Sequence, residues 1–177
     1  MQTPPEVLET KRLLICRLRL SDAERIFEGW AQSQRVTRYL VWKPHRSIEE
    51  TIAYATRCES EWESRKRYVW MLQDPESGEA LGSIAAHPAG YRVGLGYLLK
   101  PDAWGKGLMT EAVSKLSRWF LDQPDVYRVW AVCDFENPGS AKVLERAGFE
   151  FEGRLRRWVV HPNVGQEPRD ALCYSIV

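Results

Sequence analysis

The chain has 177 residues, enough for one domain with a sizeable core, and its 44% hydrophobic and 28% charged content is that of an ordinary globular protein. Twenty-five Lys and Arg against 24 Asp and Glu leave a net charge of +1, which argues against a nucleic-acid binder or a polybasic membrane contact. No 18-residue apolar run exists, and residues 1–9 carry two prolines, two acids and no apolar core, so neither a membrane span nor a signal peptide is expected.

The first predicted strand is Leu13 to Leu20, apolar and then alternating. Ser21 and Asp22 offer an N-cap for a helix running to about Gln34, with Ile26, Phe27 and Trp30 on its buried face. A loop carrying Trp42, Pro44 and His45 follows. Ser47 and Glu50 have the spacing of a capping box and open a second helix to about Ser64. Arg67–Gln73 and Ala80–His87 read as a hairpin across Asp74-Pro75-Glu76-Ser77-Gly78, and Arg92–Leu99 as the fourth strand. A helix runs from about Gly105 to Leu121, with Ala112, Val113, Leu116, Trp119 and Phe120 at helical spacing. Then come a strand at Arg128–Cys133, a helix at Pro138–Ala147 closed by Gly148, and strands at Phe149–Val160 and Ala171–Val177. The order predicts a single α/β domain over residues 1–177, with a mostly antiparallel seven-stranded sheet.

Cys16, Cys58, Cys133 and Cys173 form no CxxC pair and read as reduced, which fits the cytoplasm. His45, His87 and His161 lack close Cys or His partners, so no metal site is expected. The eight tryptophans are scattered, as core and cleft packing would place them, and the basic runs at 65–67 and 154–157 read as solvated faces.

The segment from Gly96 to Ala112 is the most informative. A strand passes through a short turn into a helix that begins Gly105-Lys106-Gly107. Free N–H groups at a helix start point outward, the helix dipole favours negative charge there, and glycines admit a phosphate close to the backbone. The chain has neither the GxxxxGK[ST] of a P-loop nor GxGxxG with a later ribose-binding acid. A Gly-x-Gly by itself also fits a helix start that needs small residues for packing.

Context decides between these readings. Tyr97, Trp104-Gly105-Lys106-Gly107 and Thr110-Glu111-Ala112 resemble the acetyl-coenzyme A pyrophosphate loop of the GNAT acetyltransferase superfamily, and more narrowly its RimJ/RimL-like branch. A second block, Asn137-x-x-Ser140 followed by Val143-Leu144-Glu145 and Gly148-Phe149, is similar to the other wall of that cofactor cleft. Arg12-Leu13-Leu14, residues 36–40 and residues 153–156 also fit, so the resemblance spans nearly the whole chain. Two positions depart from the superfamily pattern: Trp104 stands where it has Gln or Arg, and Met109 where it has Gly or Ala.

The resemblance implies a GNAT fold with helices on both sheet faces and splayed fourth and fifth strands. It also implies direct transfer of an acetyl group from acetyl-coenzyme A to an amine. Leu98 and Leu99 would then pair with pantetheine, residues Gly105, Lys106, Gly107, Leu108, Met109 and Thr110 would hold the pyrophosphate, and Asn137 would contact pantetheine. Ser140 is the candidate for protonating the thiolate, because Leu144 stands where many relatives carry a Tyr. Gly94 replaces a strand-four Glu that often serves as base, so His87 and His45 become substitutes. An α-amine of pKa about 8 is already roughly a fifth neutral near pH 7.4, against about one in a thousand for a lysine. The missing carboxylate therefore leans toward a protein N-terminal α-amine or another low-pKa amine. A small amine, or a silent acetyl-coenzyme A-binding module, are the alternatives. Trp42 and His45 are expected on the acceptor side, in a monomer or a homodimer.

Overall fold

A computed structural model describes residues 1–177 and contains one eight-stranded sheet, in the order β1-β2-β3-β4-β5-β6-β8-β7. The strands are β1 (Val7–Glu9), β2 (Leu14–Arg17), β3 (Tyr68–Gln73), β4 (Ala80–Ala89), β5 (Arg92–Leu99), β6 (Arg128–Asp134), β7 (Glu150–Val159) and β8 (Arg169–Ile176). The helices are α1 (Ala23–Ile26), α2 (Gln34–Thr37), α3 (Ile48–Glu63), α4 (Leu108–Leu121) and α5 (Pro138–Arg146). All neighbouring strands pair antiparallel except β5 and β6, which are parallel.

The strand count is eight rather than seven because Val7–Glu9 pairs with β2, and Pro5 accepts a hydrogen bond from the Trp70 indole at 3.1 Å. The first predicted helix is broken: α1 covers one turn and Phe27–Ala31 continues as a π segment, which keeps Ile26 and Trp30 buried but leaves Phe27 half-exposed. The Ser47–Glu50 capping box does not form. The Ser47 side chain caps nothing, and Glu50 accepts from the Arg46 N–H at 2.9 Å.

α3 buries Thr51, Ala55, Cys58 and Trp62, and α4 buries Met109, Ala112, Val113, Leu116 and Phe120, each at the spacing that lines one helical face. β3 lies under both layers and is buried from Tyr68 to Leu72. The core under α4 and α5 holds 28 buried residues, whereas the core under α1 and α3 holds 10, so the second face is the thinner one.

The parallel pair is short. Arg92, Val93 and Gly94 face Arg128, Val129 and Trp130, after which β5 continues to Leu99 and β6 to Asp134 without pairing. The two strands diverge from an apex at Gly94, and the unpaired edges form the walls of a wedge.

Candidate active site

The wedge opens toward the start of α4. β5 leaves through a short turn at Pro101–Ala103 into Trp104, and Gly105 and Gly107 both take left-handed backbone conformations, with φ of 73° and 76°. A side chain at either would be strained. Gly107 is the N-cap of the 14-residue α4 and has no side-chain cap, so the first-turn N–H groups face outward.

Arg12, in the turn before β2, braces this loop. Its Nη1 donates to the Lys106 carbonyl at 2.8 Å, and its Nε and backbone N–H donate to the Glu111 carboxylate, both at 2.9 Å. Because C=O and the following N–H point opposite ways across a trans peptide, tying back Lys106 turns the Gly107 N–H away from Arg12. Met109 is buried in the core, so its side chain leaves the cradle clear. Trp104 supplies no phosphate contact. Its indole donates to the Leu99 carbonyl at 2.8 Å, and Arg35 stacks on its ring at 4.8 Å.

Strand alternation assigns the wedge wall. Lys100 N–H donates to Leu81 across the β4 side, so Leu98, opposite Ser83, turns its backbone groups to β4 as well. Leu95 and Tyr97 turn theirs into the wedge, as does Leu99 its N–H, the Leu99 carbonyl being held by the Trp104 indole. The expected pair Leu98–Leu99 is therefore corrected to Tyr97 and Leu99, and the Leu98 side chain packs under α1 and α3.

The opposite wall carries α5. Asn137 accepts from the Ser140 N–H at 3.2 Å and so caps the helix, with Pro138 following it. The Tyr97 hydroxyl lies 2.9 Å from Ser140 Oγ and 3.2 Å from the Ser140 carbonyl, so hydrogen bonding spans the wedge from β5 to α5. Burial pushes the Tyr97 phenol far above its ordinary range, and raises the neighbouring Cys133 thiol to about 11. Both stay protonated at neutral pH. Tyr97 was visible in the sequence only as part of the resemblance; its partnership with Ser140 depends on the wedge and has no local signal.

The three imidazoles lie in different settings. His45 sits 2.7 Å from the hydroxyl of buried Thr51, through Nδ1, and its ring lies 5.2 Å from Trp42. His87 is exposed on β4, opposite Gly94 at the apex. Its pKa falls below the usual imidazole value, through the surrounding protein mass and then Arg67. At Gly94 itself a Cβ would come within 3.3 Å of the Trp130 indole, so Trp130 fills the space a longer side chain would need. Asn163, between β7 and β8, donates to the carbonyls of Thr37 and Trp42, both at 2.7 Å, and draws that connection against the loop that carries Trp42. His161 and Asp134 are buried beneath it.

A parallel strand pair that diverges toward a glycine-rich helix start makes a cleft open to an extended ligand, with outward-facing N–H groups at its mouth suited to an anion. The chain belongs to the GNAT acetyltransferase family: residues 12–150 match the Acetyltransferase (GNAT) domain. It is 29% identical over 174 residues to the uncharacterized N-acetyltransferase YoaA of Bacillus subtilis, covering 97% of this chain and 96% of that one. It is 26% identical over 172 residues to the [ribosomal protein uS5]-alanine N-acetyltransferase of Escherichia coli, covering 89% and 84%. Among solved structures, the microcin C7 self-immunity acetyltransferase MccE, in complex with acetyl-CoA and AMP, superposes with a TM-score of 0.88 at 19% identity, over 99% and 98% of the chains. The ribosomal L7/L12 α-N-protein acetyltransferase RimL with coenzyme A gives 0.86 at 17%, over 97% and 98%. The protein is an acetyl-coenzyme A-dependent N-acetyltransferase, and the wedge, the unstrained glycine cradle and the buried Met109 fit that co-substrate. No helix is long and apolar enough to cross a membrane.

Proposed function

We propose that the chain acetylates the α-amine of a protein N-terminus, in the manner of the RimJ/RimL-like branch, with a ribosomal protein as one possible acceptor. The observation that carries this reading is the apex: Gly94 lies under Trp130, so no carboxylate stands there to deprotonate a high-pKa lysine. An α-amine needs less help.

In this reading acetyl-coenzyme A supplies the activated acetyl group. Gly105, Lys106, Gly107, Leu108, Met109 and Thr110 hold its pyrophosphate through backbone N–H groups, Tyr97 and Leu99 pair with pantetheine, and Asn137 adds a polar contact. Ser140, with the Tyr97 hydroxyl behind it, protonates the leaving thiolate. Trp42 and His45 line the acceptor entrance. His87 and His45 are the imidazoles available to the acceptor, and the amine's proton goes to one of them. Four free cysteines fit a reducing, cytoplasmic setting.

The AMP in the MccE complex favours a second reading, in which the acceptor is a small amine attached to a nucleotide-like group. A thiol-release screen separates the two. Peptides beginning with Ala or Ser should be turned over with higher kcat/KM than polyamines, amino sugars or aminoacyl nucleotides. Preference for any of the small amines sinks the N-terminal reading.

A further inference from the structure

Between Glu28 and Glu49 the chain carries Arg35, Arg38, Lys43 and Arg46 and no acid, although the whole protein is only +1. The rest of the chain is therefore net negative, and this one segment holds the positive excess. All four side chains are exposed, and none takes part in an ion pair. Glu50 accepts from the Arg46 N–H at 2.9 Å and offsets that cation, which leaves Arg35, Arg38 and Lys43. Two of the three are held in place without a counter-charge. Arg35 lies over the Trp104 ring at 4.8 Å and Arg38 over Tyr39 at 5.2 Å, and stacking by the guanidinium face leaves the N–H groups of its edge free. Arg38 keeps right-handed helical backbone at the end of α2, so it shares one side of the helix with Arg35, three residues earlier. The segment itself is pinned, because Asn163 donates to the carbonyls of Thr37 and Trp42.

We propose that Arg35, Arg38 and Lys43 form a docking surface for the acceptor polypeptide and select one whose residues just behind the α-amine are acidic. The inference rests on the N-terminal acetylation reading above and narrows it to a substrate class. Trp104 connects the surface to the wedge: its indole holds the Leu99 carbonyl at the end of β5, and Arg35 lies on its other side from the sheet edge it caps. The coenzyme's phosphates do not use these cations up. The cradle N–H groups belong to α4, which packs on the larger core, whereas Val36 of α2 joins the core under α1 and α3, on the opposite face of the sheet. Spacing fits an extended acceptor. With its amine beside Tyr97, the third to fifth residues lie about 7–13 Å away along the strand direction, the span that Leu99 and the Trp104 ring put between Tyr97 and the Arg35 guanidinium. Carboxylates at those positions meet free guanidinium edges, whereas lysines there are repelled.

The test is thiol release with Ala-initiated hexapeptides that are identical except at positions three to five, which are all Glu, all Gln or all Lys. At about 0.05 M salt the Glu peptide should show roughly 5- to 50-fold higher kcat/KM than the Gln peptide, through KM, with the Lys peptide lowest. Raising salt to about 0.5 M should shrink the gap to about twofold, since exposed charges are screened. Arg35→Glu combined with Arg38→Glu should reverse the order of the Glu and Lys peptides, and Arg35→Lys with Arg38→Lys should keep the wild-type order. Should the reversed variant fail to fold, the wild-type salt series decides by itself. Equal kcat/KM for the three peptides at low salt overturns the docking surface and leaves the N-terminal reading standing. Turnover of small amines with no peptide acetylated overturns both. If charge reversal weakens acetyl-coenzyme A binding in calorimetry and leaves the peptide order intact, the cations serve the coenzyme's phosphates, and the docking surface is refuted.

Discussion

Arg12 offers the sharpest perturbation of the cradle, because it touches the loop without lying in it. Its Nη1 bond holds the Lys106 carbonyl, and its ion pair with Glu111, at 2.9 Å, fixes the guanidinium. The two side chains are 46% and 21% exposed, so the ion pair is screened and contributes about 0.2–1 kcal/mol. A charge-assisted bond to a carbonyl adds about 1.5–3 kcal/mol when buried, and roughly 1 kcal/mol at this exposure. Together about 1–2 kcal/mol favours the observed loop conformation, the one proposed to hold the pyrophosphate. Arg12→Ala should therefore weaken acetyl-coenzyme A binding about 5- to 30-fold by calorimetry. Tm should fall by no more than about 2–8 °C for a chain of this size. Glu111→Gln keeps the bond to Lys106 and should cost less. If Arg12→Ala binds within about twofold of wild type while Tm falls, Arg12 only staples the turn before β2, and the brace argument is wrong.

Ser140→Ala and Tyr97→Phe should each lower kcat by about 10- to 100-fold, and the double variant by little more than the worse single one, since the two hydroxyls share one bond. Full additivity in single-turnover rates would break that pairing. Gly94→Ala presses a methyl to within 3.3 Å of Trp130 and should cost about 1–3 kcal/mol, read by denaturant melts. Gly94→Glu will not restore a base unless Trp130 is made smaller in the same variant. Asp134 is fully buried; burial raises its pKa, but Arg169 and the Glu136 N–H overcome this and hold it below the ordinary carboxylate value. Its stabilisation is therefore present above about pH 4 and lost as pH falls through the depressed native pKa. Asp134→Asn should flatten the acid side of a pH–stability curve, and an unchanged curve would contradict the assignment.

What the sequence disclosed, and what it hid, follows from range. β3 through β8, α4 and α5 lie within a few residues of their predicted bounds, because each carries its own periodicity and its own caps or turns. β1 escaped notice: three residues, two of them exposed, have no pattern until they meet β2. The π segment at Phe27–Ala31 keeps helical spacing in sequence and differs only in hydrogen bonding. At the site, the glycine cradle was legible because positive φ selects glycine, and Met109 could be cleared only once its burial was known. The role of Leu98 depended on which way its peptide groups turn, a matter of register rather than composition. Trp104 looked like a lost phosphate ligand and instead holds the Leu99 carbonyl, with Arg35 on its face. His161 and Asp134 come together only through the fold. No local motif joins them.

Calorimetric titration of the purified wild type with acetyl-coenzyme A tests the central claim most directly. Saturable binding that is lost when Gly105 and Gly107 are both replaced by valine, in protein that still melts cooperatively, is the predicted result. Absence of heat or saturation at millimolar ligand in the folded wild type would contradict it.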